Sequence, residues 1–264
     1  MNIFLRELRA NLKSLLIWSV IIVLLIAIAV SKFSAFYNNP EMLAILDSMP
    51  QGMLDALSMS AFNLTTLTGF YGLMFIYFGL MGAMAAAMWG SDIISKEERD
   101  KTVEFSLVLP VTRNRVITAK ALAALVNCLL FVGITWAVSV AMVQSYQPDQ
   151  AFYDFLALEM QAMLLIELVF LALGLLLGCA MKRYKRAGST AIGIILVAYF
   201  VSVMVGMQEN LDFLKYFTPF KYYDAGELYR TGQFEPVYLL LSAAIVVACL
   251  AGAYLLYNKR DLYI

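Results

Sequence analysis

Charge-free apolar runs recur along the chain at lengths that suit a membrane crossing. Residues 14–31, 121–148, 187–208 and 236–258 contain no Asp, Glu, Lys or Arg, and residues 160–181 contain only Glu167. Residues 56–91 form one charge-free run longer than a single crossing needs. A helix rises about 1.5 Å per residue, so about 20 apolar residues cover the roughly 30 Å of bilayer hydrocarbon. Backbone groups inside that layer must be satisfied within the spanning structure. No ten-residue segment alternates with the period of two that barrel strands require. The pattern predicts an all-α polytopic membrane protein, a single transmembrane domain over 1–264. Its six transmembrane helices are expected near 14–31, 68–90, 121–143, 160–181, 187–207 and 237–257. A charged loop, 91–120, follows the second helix, and residues 32–67, 144–159 and 208–236 connect the helices on the opposite side.

Composition sharpens this. Of 264 residues 62% are hydrophobic and 14% charged, against about 25% charged in a soluble domain, and mean hydropathy is +0.78. The net charge of zero conceals where the charges sit. With the N-terminus inside, residues 1–13, 92–120, 182–186 and 259–264 hold 15 of the 19 Lys and Arg, whereas 11 of the 19 acidic residues fall outside. Only Lys32, Lys215, Lys221 and Arg230 are outer cations. The bias of basic residues toward cytoplasmic loops therefore puts both termini in the cytoplasm of a multi-pass plasma-membrane protein, here expected to be prokaryotic. The N-terminal run reads as a retained span, being longer than a typical signal-peptide core.

Chemistry narrows further. His is absent, which removes the commonest metal ligand and neutral-pH base. Cys128, Cys179 and Cys249 lie far apart in apolar runs and match no metal or redox spacing. No nucleotide-binding, zinc-hydrolase or serine-hydrolase motif is present, so no catalytic, cofactor or metal site is expected, and nothing suggests nucleic acid. Glu167, about eight residues into its expected span, is the ionisable residue well inside a crossing. It is either a hydrogen-bonded structural acid or part of a translocation site. Gly79, Ala83 and Ala87, four apart, give the second span a smooth face for helix packing, within a protomer or between protomers. Around Phe217, Pro219 and Phe220 the aromatic outer segment suits the headgroup layer, with a short helix broken at Pro219, or alternatively an outer gate.

The charged loop is the densest signal. In "SDIISKEERDKTVEFSLVLPVTRNRVITAK", Ser95 and Glu98 have the spacing of a capping box, Pro110 supplies a stop, and a further helix starts near Thr112,. A mixed-sign helix along the inner surface is expected, either solvated or docked on a partner. The series Glu97–Glu98, Lys101–Thr102–Val103–Glu104, Leu109–Pro110–Val111–Thr112–Arg113 and Lys120 resembles the first cytoplasmic loop of ABC type-2 permeases. Lys101 stands where glycine is common in that family. The span order, the basic "KRYKR" loop, Pro219–Phe220 before the last span and the "YNKRDL" end resemble it too.

That resemblance implies the membrane subunit of an ATP-driven exporter, pairing as a homodimer or heterodimer and binding two separate ABC ATPase subunits. The loop helix would be the coupling element, with Glu97, Glu98, Glu104, Phe105, Leu107, Pro110 and Arg113 as contact residues. ATP and Mg would be held by the partner ATPase, leaving this chain without enzymatic activity. The "NIFLRELRANLK" start would lie on the membrane, with Arg6, Arg9 and Lys13 toward lipid phosphates and Ile3, Phe4, Leu5 and Leu8 in the apolar layer. The apolar lining expected for the bundle suits a hydrophobic or amphipathic cargo. A non-transporting membrane scaffold or assembly protein would share these spans, and an ATPase encoded beside the gene would favour transport over it. A secondary carrier should show helix breaks or coupled polar groups near midplane, which Glu167 alone does not supply.

Overall fold

A computed structural model describes residues 3–37, 62–99, 111–181, 184–207 and 209–259, with isolated positions 39, 48, 50 and 54. Its elements are helices: α1 Ile3–Phe36, α2 Leu67–Arg99, α3 Arg113–Val143, α4 Gln150–Ala180, α5 Tyr184–Met207, α6 Pro219–Tyr222, α7 Ala225–Thr231 and α8 Pro236–Lys259. Short 3-10 helices occupy Gln144–Tyr146 and Glu209–Phe217. Among the described residues six helices, α1 to α5 and α8, are long and apolar enough to cross a membrane. The all-α, six-helix expectation is met.

Local chemistry explains several boundaries. Thr112 is the N-cap of α3, its side chain accepting from the Arg115 amide, as the sequence led us to expect near that position. Asp149 caps α4 by accepting from the Phe152 amide at 2.9 Å, which satisfies one of the unpaired donors at a helix start. Because of that cap α4 begins at Gln150, and Glu159, assigned by charge to an outer segment, lies inside the helix and is fully buried. Glu167 consequently sits near the middle of the 31-residue helix rather than toward its beginning.

One local reading gives way to longer-range order. Ser95 does not cap a new helix: α2 runs through it to Arg99, and its hydroxyl donates to the Ser91 carbonyl at 2.8 Å. The preceding apolar turns carry the helix onward, and a serine inside a helix can bond back four residues. The 3-10 helix Glu209–Phe217 ends just before Pro219, and Pro219 is the first residue of α6, where its missing N–H costs nothing.

The centre of the bundle is α2 against α4. Their most apolar 18-residue windows are 61% and 67% buried, compared with 22%, 17% and 11% for α1, α5 and α8. The two run side by side in the same direction: Gly72 meets Phe155, Gly79 meets Ile166 and Gly90 meets Leu171. At the seam the backbones touch. A Cβ on Gly90 would lie 2.5 Å from the Leu171 carbonyl oxygen, and one on Gly174 would lie 2.3 Å from that of Ala87. In lipid, where no hydrophobic force drives helices together, such close approach by small residues supplies the packing energy. Helix α3 inserts aromatic and hydroxyl contacts beside this pair, with the Trp89 and Phe131 rings 5.7 Å apart and Tyr71 donating to Ser139.

Candidate functional site

The start of α1, the end of α2, the start of α3 and the end of α8 converge at one end of the bundle. Glu7, only 1% exposed, lies on the buried stripe of α1 with Asn11, Leu15 and Ser19. Its carboxylate pairs with Lys96 of α2, with Lys120 of α3 at 3.5 Å and with Arg6 at 3.2 Å. Lys120 is fully buried and also donates to the Ile93 carbonyl at 2.7 Å. Lys96 reaches the Asn11 amide oxygen at 3.5 Å.

A second clasp lies on the opposite side of the same loop. Arg113 donates to the Tyr257 and Asn258 carbonyls at 3.2 and 3.1 Å, satisfying acceptors that a helix end leaves unpaired. Asn258 donates to the Asn114 side chain at 2.6 Å, and the Thr118 and Tyr254 hydroxyls share a 2.6 Å hydrogen bond. Of the expected loop contacts, Arg113 is therefore turned to α8. Glu104, Phe105, Leu107 and Pro110 lie outside the described residues, as do the side chains of Glu97 and Glu98.

The interior carries a different polar set. Glu159 and Glu167 are fully buried; the Glu159 carboxylate has no hydrogen-bond partner among the described residues, and for Glu167 the only candidate donor among them is the weak Cys128 thiol. Neither side-chain polar atom of buried Asn127 has a partner among the described residues. The weakly donating thiol of Cys128 lies beside Glu167, and Tyr71 is within electrostatic reach of Glu159. Gly82 makes room for Glu167: a Cβ there would sit 2.7 Å from the acid's Oε1. The small-residue face of α2 is packed within this chain, with Ala83 and Ala87 fully buried, Gly79 facing Ile166 and the Ala87 backbone against Gly174.

At the far end the three aromatic-segment residues separate. Phe217 is 75% exposed, whereas Pro219 is buried and Phe220 packs between Phe170 and Tyr199, with ring centroids 5.5 and 6.1 Å away. The Thr218 hydroxyl ties this segment to the Ala198 carbonyl at 2.8 Å. Beside it opens a cavity of about 340 Å³ whose lining includes the Lys221–Asp224 pair, 2.8 Å apart, and Arg230 paired with Glu227.

Sequence reading did not find Glu7 or Glu159. For Glu159 a signal existed: Phe152, Phe155, Leu156, Met160 and Met163 recur around it at helical spacing on one buried face. For Glu7 the stripe was visible, but its cations come from about 90 and 110 residues away, beyond the reach of any helical periodicity.

No group of three or more His, Cys, Asp or Glu suited to a metal occurs among the described residues. No curated protein matches the chain. The family model described as ABC-2 family transporter protein matches residues 1–262, and the chain belongs to that family.

Proposed function

We propose that the chain is the membrane subunit of an ATP-driven exporter, coupled to separate ATPase subunits through residues 91–120. The observation that carries this reading is the family match over 1–262 on a bundle of six membrane-length helices. Membrane subunits of this family are not catalytic, so ATP and Mg belong to the partner. Two ATPase copies would sit under a permease dimer, beneath the basic face, with both termini on the same cytoplasmic side. The arginine-bearing start of α1 lies at the membrane surface, where exposed Arg9 and Lys13 face lipid phosphates,. Glu167, joined by Glu159, marks a polar site inside the bundle, and Phe217, Pro219 and Phe220 belong to the outer gate region. An apolar interior suits a hydrophobic or amphipathic cargo.

Docking through the loop is tested by pull-down of the ATPase at matched permease levels. Interface energy concentrates in buried aromatic or aliphatic anchors, with rim charges contributing little. Phe105→Ala should cost about 2 kcal/mol, roughly thirtyfold in affinity, against about 0–1 kcal/mol for Glu98→Ala. Full ATPase retention by a Phe105→Ala, Leu107→Ala double variant would refute docking through this loop.

A further inference from the structure

The cavity of about 340 Å³ at the far end of the bundle is walled by charges of both signs. Its cations are Lys215, Lys221 and Arg230, and each pairs with an acid of the same wall. Lys215 meets Asp212 at 2.6 Å, Lys221 meets Asp224 at 2.8 Å, and Arg230 meets Glu227. A fourth acid, Glu235, is exposed on this wall and has no ion-pair partner among the described residues. A lone anion would meet the acids here, and a lone cation would meet the lysines and the arginine. A ligand that carries both charges close together is matched by the wall and repelled by neither set. An ammonium and a carboxylate each keep free hydrogen-bonding positions after a single contact, so the existing pairs can also hold a ligand. Tyr238 lines the cavity within electrostatic reach of both Lys215 and Glu235, and its ring stacks on Tyr222 with centroids 5.2 Å apart.

The position of the cavity selects among zwitterions. Its wall joins the end of α5, through Val205, to the start of α8, through Tyr238. Both helices are of membrane length, so the cavity lies at the level where they reach the bilayer surface. Beside it the 3-10 helix Glu209–Phe217 exposes Phe213 and Phe217, rings suited to the headgroup layer. Away from the cavity, exposed Phe200 and Met204 continue along α5, and exposed Val237 and Leu240 along α8. That apolar surface suits acyl chains. We propose that the cavity binds the headgroup of a zwitterionic phospholipid with a primary ammonium, of the phosphatidylethanolamine class. The phosphate lies toward Lys215 and Lys221, and the ammonium lies toward Glu235 and the Tyr238 ring. A primary ammonium donates hydrogen bonds to a carboxylate, which a trimethylated choline headgroup cannot do. This site goes beyond the proposed function and uses neither the ATPase nor the cargo.

The test uses the whole chain in mild detergent, with bound lipid counted by native mass spectrometry. Phosphatidylethanolamine, phosphatidylcholine and phosphatidylglycerol with matched acyl chains are titrated, and free phosphoethanolamine is added as a competitor. Phosphatidylethanolamine should bind about tenfold tighter than either other lipid, the scale of one charge-assisted hydrogen bond. Free phosphoethanolamine, which lacks the chains, should compete only weakly. Glu235→Gln should weaken phosphatidylethanolamine about tenfold and tighten phosphatidylglycerol, because the acid that repels an anion is gone. Lys215→Gln should weaken both, since both present a phosphate. Glu235 is exposed and the Lys215 pair reaches solvent, so both variants remain folded, and thermal unfolding checks this. Equal affinity for the three lipids overturns the proposal, as does a folded Glu235→Gln variant that keeps the wild-type lipid preference. Phosphoethanolamine that binds as tightly as the lipid overturns the membrane source and makes the ligand a soluble zwitterion.

Discussion

Glu7 at the charged end and Glu167 midway along α4 are equally withdrawn from solvent, yet only the first is held by cations. Around Glu7 two lysines from distant parts of the chain converge on one carboxylate. Around Glu167 and Glu159 the described neighbours are a thiol, a phenol and glycine or apolar side chains. The contrast shows that burial alone does not fix what an acid contributes to the fold. Deleting one member of a paired set strands the others, whereas deleting an unpaired acid strands nothing. The first arrangement joins three helix ends through one carboxylate. The second has no charged partner among the described residues.

The largest effect should follow from breaking the tie. Glu7→Gln removes the buried carboxylate that Lys96 and Lys120 share and should destabilise the chain by about 3 kcal/mol, read as thermal unfolding in detergent by tryptophan fluorescence. A loss below about 1 kcal/mol would place Glu7 with ordinary surface ion pairs.

Next in size is Gly82→Ala, whose new methyl would meet the Glu167 carboxylate at 2.7 Å and the Met163 methyl at 2.9 Å. Both atoms end flexible side chains that can shift, so the cost is about 1 kcal/mol, the low end for overpacking,. Adding Glu167→Ala should recover part of it, as a coupling of about 0.5 kcal/mol in a double-mutant cycle. Strict additivity would mean that the glycine is not there to seat the acid. Glu167→Leu alone should change stability by less than about 1 kcal/mol in either direction, since an unpaired polar group is exchanged for an apolar one. A loss above about 2 kcal/mol would reveal a hydrogen-bonded partner and erase the contrast with Glu7. The smallest effect, about 0–1 kcal/mol, belongs to Arg230→Ala, which removes an ion pair whose side chains are 72% and 54% exposed,.

The six-helix architecture was legible because five crossings announce themselves by long runs without charge and the other, 160–181, is interrupted only by Glu167, and lipid permits few alternatives to a helix. The α3 start was legible for the same local reason, a threonine cap beside a basic turn. What failed did so where local chemistry and the rest of the bundle disagree. Ser95 has the spacing of a cap, yet the apolar turns before it keep the helix going. Glu159 was read as a boundary because charge was taken to end a span, while the cap that actually starts α4 is Asp149, ten residues earlier. Lys120 was visible only as part of a family pattern. Nothing in its own neighbourhood shows that it is sealed inside the protein by an acid from the seventh position of the chain.

The backbone-to-backbone seam between α2 and α4 also sets an order of assembly. These helices are parallel neighbours in space but have the whole of α3 between them in the chain, so during synthesis α2 enters the bilayer before its partner exists. Until α4 arrives, the Gly90 groove of α2 can be occupied only by lipid or by a transient helix. The centre of the protein is therefore completed late, by the fourth insertion, and α1 and α3 must hold α2 at the right tilt in the meantime. A translational pause or an insertion defect at α4 would leave three membrane-embedded helices whose central contact cannot form, a natural point for quality control to act on the nascent chain.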